Sequence, residues 1–130
     1  MALVAIVDDS RLARMFAATA LRKHGHEVIE IQPDTLPETL AILLERRPEL
    51  LVLDHAMPAF QGPTLVRACF DDRRLAAIKV VMLTAFHDEA VAVRMAKLGV
   101  HAVLHKPILH EALTAAVDRV LAGEPPGGPA

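Results

Sequence analysis

Four polar endings of apolar runs carry the chemistry open to this chain: Asp8-Asp9, Asp54, Thr84 and Lys106. They follow Ala2–Val7, Leu50–Leu53, Val80–Leu83 and Ala102–Leu104. Three carboxylates, a hydroxyl and an ammonium together suit divalent-metal-assisted chemistry on a phosphoryl group. Two like charges about 4 Å apart repel by roughly 1–4 kcal/mol at effective dielectrics between about 80 and 20. Asp8 and Asp9 are adjacent, and Asp54 adds to that repulsion. A strong cation relieves it. Mg2+ is the natural candidate, because it takes hard oxygen ligands and keeps waters that a substrate can displace. Asp54, ending a buried run, is a candidate metal ligand, general base or nucleophile. A nucleophilic carboxylate that accepts a phosphoryl group forms an aspartyl phosphate. A metal would neutralise and align the transferring group. Lys106 would add a second positive charge, and the Thr84 hydroxyl can donate a hydrogen bond to a phosphoryl oxygen.

Each residue also has a plainer role. Asp9-Ser10 can cap the next helix, Lys106 can be a solvated loop lysine, and Thr84 can cap the fourth helix. The matching strand ends weigh against the first, Pro107 beside Lys106 against the second, and Asp88, nearer the helix start, against the third. Seven histidines invite a metal site. His101 and His105 flank a strand, where four residues span roughly 13 Å and shared chelation is disfavoured. His55 should point away from the Asp54 side chain. Cys69 has no partner motif and reads as a packed residue.

These residues need elements to bring them together. Strand-like runs alternate with helically spaced segments, which argues for βα units and a parallel sheet. Strands are expected at Ala2–Val7, Glu27–Ile31, Leu50–Leu53, Lys79–Leu83 and Ala102–Leu104. Helices are expected at about Arg11–His24, from the Thr35-x-x-Glu38 capping box to about Arg47, at about Pro63–Phe70, from near Asp88 to Gly99, and at about Leu109–Leu121. On the first helix, Leu12, Met15, Phe16 and Thr19 share a face, and Gly25 ends it. Pro48 blocks continuation of the second. Strands 1 and 3 to 5 are almost wholly apolar, the mark of burial on both faces. Strand 2 carries Glu27 and Glu30 and ends without chemistry at Gln32-Pro33, which places it at an edge. The expectation is a doubly wound α/β fold of flavodoxin-like order 2-1-3-4-5 with five flanking helices, its ligand edge at the carboxyl ends of the strands.

Composition narrows the function classes. The chain has 130 residues and a formal net charge of −2, with basic residues scattered, so no stripe for nucleic-acid phosphates is expected. One cysteine excludes an internal disulfide and suits a reducing cytoplasm. No apolar stretch approaches the roughly 18–20 residues of a membrane span. The N-terminal run lacks a basic n-region and a long apolar core and meets Asp8-Asp9 at once, so it is expected to be a first strand rather than a signal peptide. Residues 1–122 read as one domain, and 123–130 as a Pro/Gly-rich tail or linker stub.

The chain resembles the receiver domain of two-component response regulators. The resemblance rests on Val7-Asp8-Asp9-Ser10, Leu53-Asp54-x-x-Met57-Pro58-x-x-x-Gly62, Thr84-Ala85 and Lys106-Pro107, and covers about residues 2–122. It implies that Asp54 accepts phosphoryl from a histidine kinase or a phosphotransfer protein. It further implies that Asp9, Asp54 and the Ala56 carbonyl ligate Mg2+, with Asp8 acting largely through water. Lys106 would pair with the phosphoryl group, Thr84 would swing inward to bond it, and Lys106–Pro107 would be cis. The face formed by helix 4, strand 5 and helix 5 would meet a downstream partner, as a monomer or a phosphorylation-dependent dimer. Two positions depart from the family. Val103 stands where an aromatic is usual, so transmission would rest on displacement of the loop and helix 4. Phe86, two residues beyond Thr84, would shield the acyl phosphate from water.

Two other functions compete. A pseudo-receiver would be a binding or dimerisation module that no longer uses phosphate; the intact site residues argue against it. An aspartyl-phosphate hydrolase of the haloacid dehalogenase type would need two aspartates one residue apart after strand 1, and here they are adjacent. The receiver itself is expected to catalyse only its own phosphorylation and dephosphorylation. Val91, Val93 and Met95 on helix 4 raise an apolar partner surface there.

Overall fold

The structure, a computed structural model, describes residues 1–85 and 89–124. Phe86 and Asp88, named above for shielding and for the start of helix 4, lie outside the described residues. The elements alternate: β1 (Leu3–Val7), α1 (Arg11–Lys23), β2 (Glu27–Ile31), α2 (Leu36–Arg46), β3 (Leu50–Asp54), α3 (Gly62–Asp71), β4 (Lys79–Thr84), α4 (Glu89–Leu98), β5 (Ala102–His105) and α5 (His110–Leu121). All strand pairs are parallel and the order is β2-β1-β3-β4-β5, as the edge argument for strand 2 predicts.

Local chemistry sets the boundaries. Ser10 and Thr35 cap α1 and α2, accepting the N–H of Ala13 and of Glu38 at 3.2 Å each. Gly25 follows α1 with φ +94, a conformation that costs glycine little. Arg47 closes α2 in the left-handed region, and Pro48 prevents another turn.

Alternation along the strands divides the core in two. Ala5, Val7, Leu51, Leu53, Val80 and Met82 face the side covered by α2, α3 and α4. Val4, Ile6, Leu50, Val52, Val81 and Leu83 face α1 and α5. β1, β3 and β4 are therefore buried on both faces. β5 is not, although its sequence is as apolar: it is the outer strand, and its residues are half-buried or exposed.

The packing decides which way two apolar surfaces turn. On α1 the buried residues are Ala17, Ala18, Ala20 and Leu21, while Leu12, Met15 and Phe16 face outward; Leu12 is 79% exposed. On α4, Val91 and Met95 turn into the core and only Val93 remains outside, so the apolar surface expected there is absent. A helix packs whichever stripe its connections turn to the sheet, and spacing alone does not say which stripe that is.

Candidate functional site

Asp8 is the first residue after β1 and Asp54 the last of β3. Both continue the alternation of the inner strands, two positions after Ile6 and Val52, on the α1/α5 side. Asp8 is almost fully buried. Its Oδ1 accepts the Ser10 N–H at 2.9 Å, which bends the chain so that Asp9 can turn toward its neighbours. One carboxylate oxygen from each of Asp8, Asp9 and Asp54 lies within 4.8 Å of the others. Lys106 reaches in from beyond β5, its Nζ 3.6 Å from Asp8 Oδ2 and 3.3 Å from Asp54 Oδ1. The ammonium is therefore not a solvated loop charge. Its peptide bond to Pro107 is cis, and its backbone N–H donates to the Thr84 carbonyl at 2.8 Å. Thr84 is buried at the end of β4. By alternation it belongs with Met82 to the α2–α4 side, one position out of phase with the carboxylates. Val103, paired with Met82, packs on that same side.

Three carboxylates face one ammonium, an excess of negative charge in a partly desolvated pocket. Asp8 Oδ2 is buried without a hydrogen-bond partner. Burial pushes the Asp8 pKa above its ordinary value; the Ser10 N–H and the Lys106 ammonium oppose this, and the Asp54 and Asp9 charges reinforce it. An under-neutralised oxygen cluster of this kind fits a hard divalent cation. Oxygens around Mg2+ sit about 3–4 Å apart, so small side-chain rotations suffice to form the shell. Among the described residues no histidine takes part in such a cluster. Cys69 is fully buried, and desolvation pushes its thiol up to about 12, so it is the packed residue expected.

Two supporting residues have roles that the motifs do not state. Gly62 donates its N–H to the His55 carbonyl at 2.8 Å, and a Cβ there would collide with the Asp54 carbonyl oxygen. Only glycine lets α3 start so close to the end of β3. Arg14 Nη1 donates to the Asp8 carbonyl and, at 2.7 Å, to Gln32 Oε1, tying the ends of β1 and β2. In sequence Arg14 reads as one more solvated helix cation, and no spacing signals its reach.

Residues 4–118 match the response regulator receiver domain. This chain belongs to that family. Over 124 residues the receiver is 32% identical to protein PilH of Pseudomonas aeruginosa, covering 95% of this chain and 100% of that protein. It is 31% identical to a probable chemotaxis protein CheY of Rhizobium etli, covering 90% of each. The chemotaxis response regulator CheY4 of Vibrio cholerae superposes with a TM-score of 0.84 at 28% identity, covering 92% of this chain and 98% of that one. Phosphoryl-accepting response regulator function follows from that membership. Receiver domains are in general signalling modules that bind Mg2+ through an acidic pocket and meet histidine kinases or phosphotransfer proteins. Among the described residues no helix is long and apolar enough to cross a membrane.

Proposed function

We propose that Asp54 is the phosphoacceptor of this receiver and that the other strand-end residues serve its reaction. What supports this is Lys106, whose ammonium lies between the Asp8 and Asp54 carboxylates at the carboxyl edge of the sheet. An Asp54 carboxylate oxygen attacks the phosphorus of a phosphohistidine in line. The P–N bond breaks, and the imidazole nitrogen keeps the electron pair and takes up a proton. Asp9, Asp54 and the Ala56 carbonyl would hold Mg2+, with Asp8 acting largely through water. The bound ion supplies charge neutralisation on the phosphoryl oxygens. Lys106 then transfers its pairing from Asp54 to the new phosphoryl group, and Thr84 donates its hydroxyl to it. Because Thr84 starts from the other side of the sheet, that bond requires it to shift at the β4 edge. With Val103 in place of an aromatic, the shift passes to the loop after β4 and to α4, and the α4–β5–α5 face answers it toward a downstream protein. The setting is the cytoplasm, and the active species is a monomer or a phosphorylation-dependent dimer.

The donor protein would dock on the outward face of α1. Leu12, Met15 and Phe16 are exposed there, and Leu109 is exposed at the neighbouring start of α5. A hollow of about 240 Å3 runs from Phe16 to Pro107 and Ile108 and reaches Lys106. An apolar rim beside the acceptor is where a donor must sit to place its histidine.

Acetyl phosphate with Mg2+ should add one phosphoryl group to the wild type and none to Asp54→Asn, read by intact mass. No addition to the wild type would favour the pseudo-receiver, and steady phosphate release from an external substrate the hydrolase. Leu12→Asp should slow transfer from a phosphohistidine protein about tenfold or more while leaving labelling by acetyl phosphate unchanged. Equal slowing with both donors would remove α1 as the docking face.

A further inference from the structure

The cleft between α3 and α4 takes no part in the phosphoryl transfer proposed above. It is an open groove of about 500 Å3. Arg67 lines it from α3, and Arg94 and Lys97 from α4. Its apolar lining is Pro63, Met95 and Leu98. Arg94 and Lys97, three apart, lie on one side of their helix, where like charges repel. Among the described residues none of the three cations has an ion pair or a side-chain hydrogen bond, and no aspartate or glutamate lines the cleft. Elsewhere Arg22, Arg46, Arg74 and Arg119 pair with Glu30, Glu27, Asp72 and Glu124, and among the described residues the arginines that remain without an ion pair do not converge on a shared hollow with two other cations. Three unmatched cations converging on one hollow in a chain of net charge −2 define a local demand for anions.

We infer that the α3–α4 cleft binds a small organic phosphate of nucleotide type. Arginine forks from facing helices suit phosphate oxygens, and their planes can also stack on a base. Lys97 adds a point charge. Pro63, Met95 and Leu98 offer the apolar contact that a ring needs and inorganic phosphate does not. The volume lies within the roughly 300–1,000 Å3 usual for small-molecule sites. A phosphate held from both walls would bridge α3 to α4.

The test is a titration of the full chain with ADP and with pyrophosphate in low-salt, Mg2+-free buffer, followed by amide chemical shifts and calorimetry. The expected result is saturable single-site binding of ADP, with shifts concentrated in α3 and α4. Pyrophosphate should bind about tenfold or more weakly, and Arg94→Glu should weaken ADP by about tenfold or more. Arg67→Ala, at a separate exposed position, should weaken it in the same direction, and both variants should keep Asp54 labelling by acetyl phosphate. No saturation up to about 5 mM ADP would overturn the inference. So would equal affinity for pyrophosphate, or binding indifferent to both substitutions. Because the readout does not involve Asp54, it stands or falls separately from the phosphoacceptor assignment.

Discussion

Lys106 holds together two carboxylates that would otherwise face each other, one of them almost wholly buried. Any change to this group of charges alters stability and chemistry in opposite directions. Asp8→Asn keeps an oxygen for the Ser10 N–H but removes a desolvated charge, so the metal-free protein should gain about 1 kcal/mol in urea denaturation. The same variant should lose the stabilisation that Mg2+ confers on the wild type, about 1.4 kcal/mol at ten times its Kd. Lys106→Met should destabilise the metal-free protein by about 1–3 kcal/mol, since it leaves Asp8 and Asp54 unopposed in a poorly hydrated pocket. Gly62→Ala should cost about 1–3 kcal/mol and reduce acetyl phosphate labelling, because relieving the clash displaces the end of β3 that carries Asp54. Polar residue types at strand ends made Asp8, Asp9, Asp54, Thr84 and Lys106 readable as a set from sequence. Gly62 and Arg14 were not readable in their roles, because a forbidden Cβ and a long side chain reaching two strand ends exist only in the folded geometry.

At the level of elements, the two edge strands begin alike. His26, before β2, accepts the Ala2 N–H on Nδ1 at 3.2 Å, and Glu27 donates back to the Ala2 carbonyl at 3.0 Å. His101, before β5, accepts the Val80 N–H on Nδ1 at 3.1 Å and donates its own backbone N–H to the Val80 carbonyl at 2.9 Å. In each case an imidazole stands in for the carbonyl that another strand residue would supply. Burial lowers both histidines below their ordinary value of 6.5; the neighbouring His24 adds to this at His26 and Lys79 at His101. Their contribution to stability is therefore complete above about pH 6.5 and is lost as pH falls through the lowered folded values. The urea midpoint should drop between about pH 7.5 and about pH 5.5. Replacing both by asparagine, whose amide oxygen can accept the same N–H without titrating, should flatten that dependence. Strand and helix periods made all ten elements and the sheet order legible. The inward stripe of α1 and the exposure of β5 were not, because both are set by what lies alongside, and nothing within either segment encodes it.

Over the whole molecule, the two sides of the sheet have different fillings. The α2–α4 side is packed with Leu, Met and Val and carries Val103 and the parity of Thr84. The α1 contribution to the other side is three alanines and one leucine. Small residues bring α1 close to β1, and no large apolar residue of α1 beyond Leu21 is fully committed to the interior. Leu12→Gln and Met15→Gln should consequently shift stability by less than about 0.5 kcal/mol in thermal denaturation. A larger loss would mean that the outer face also supports the fold. If the prediction holds, the outer positions of α1 are free to drift. A duplicated copy of this gene could change the donor it answers by altering a few surface side chains, without re-solving its core and without touching the carboxylates that receive the phosphoryl group.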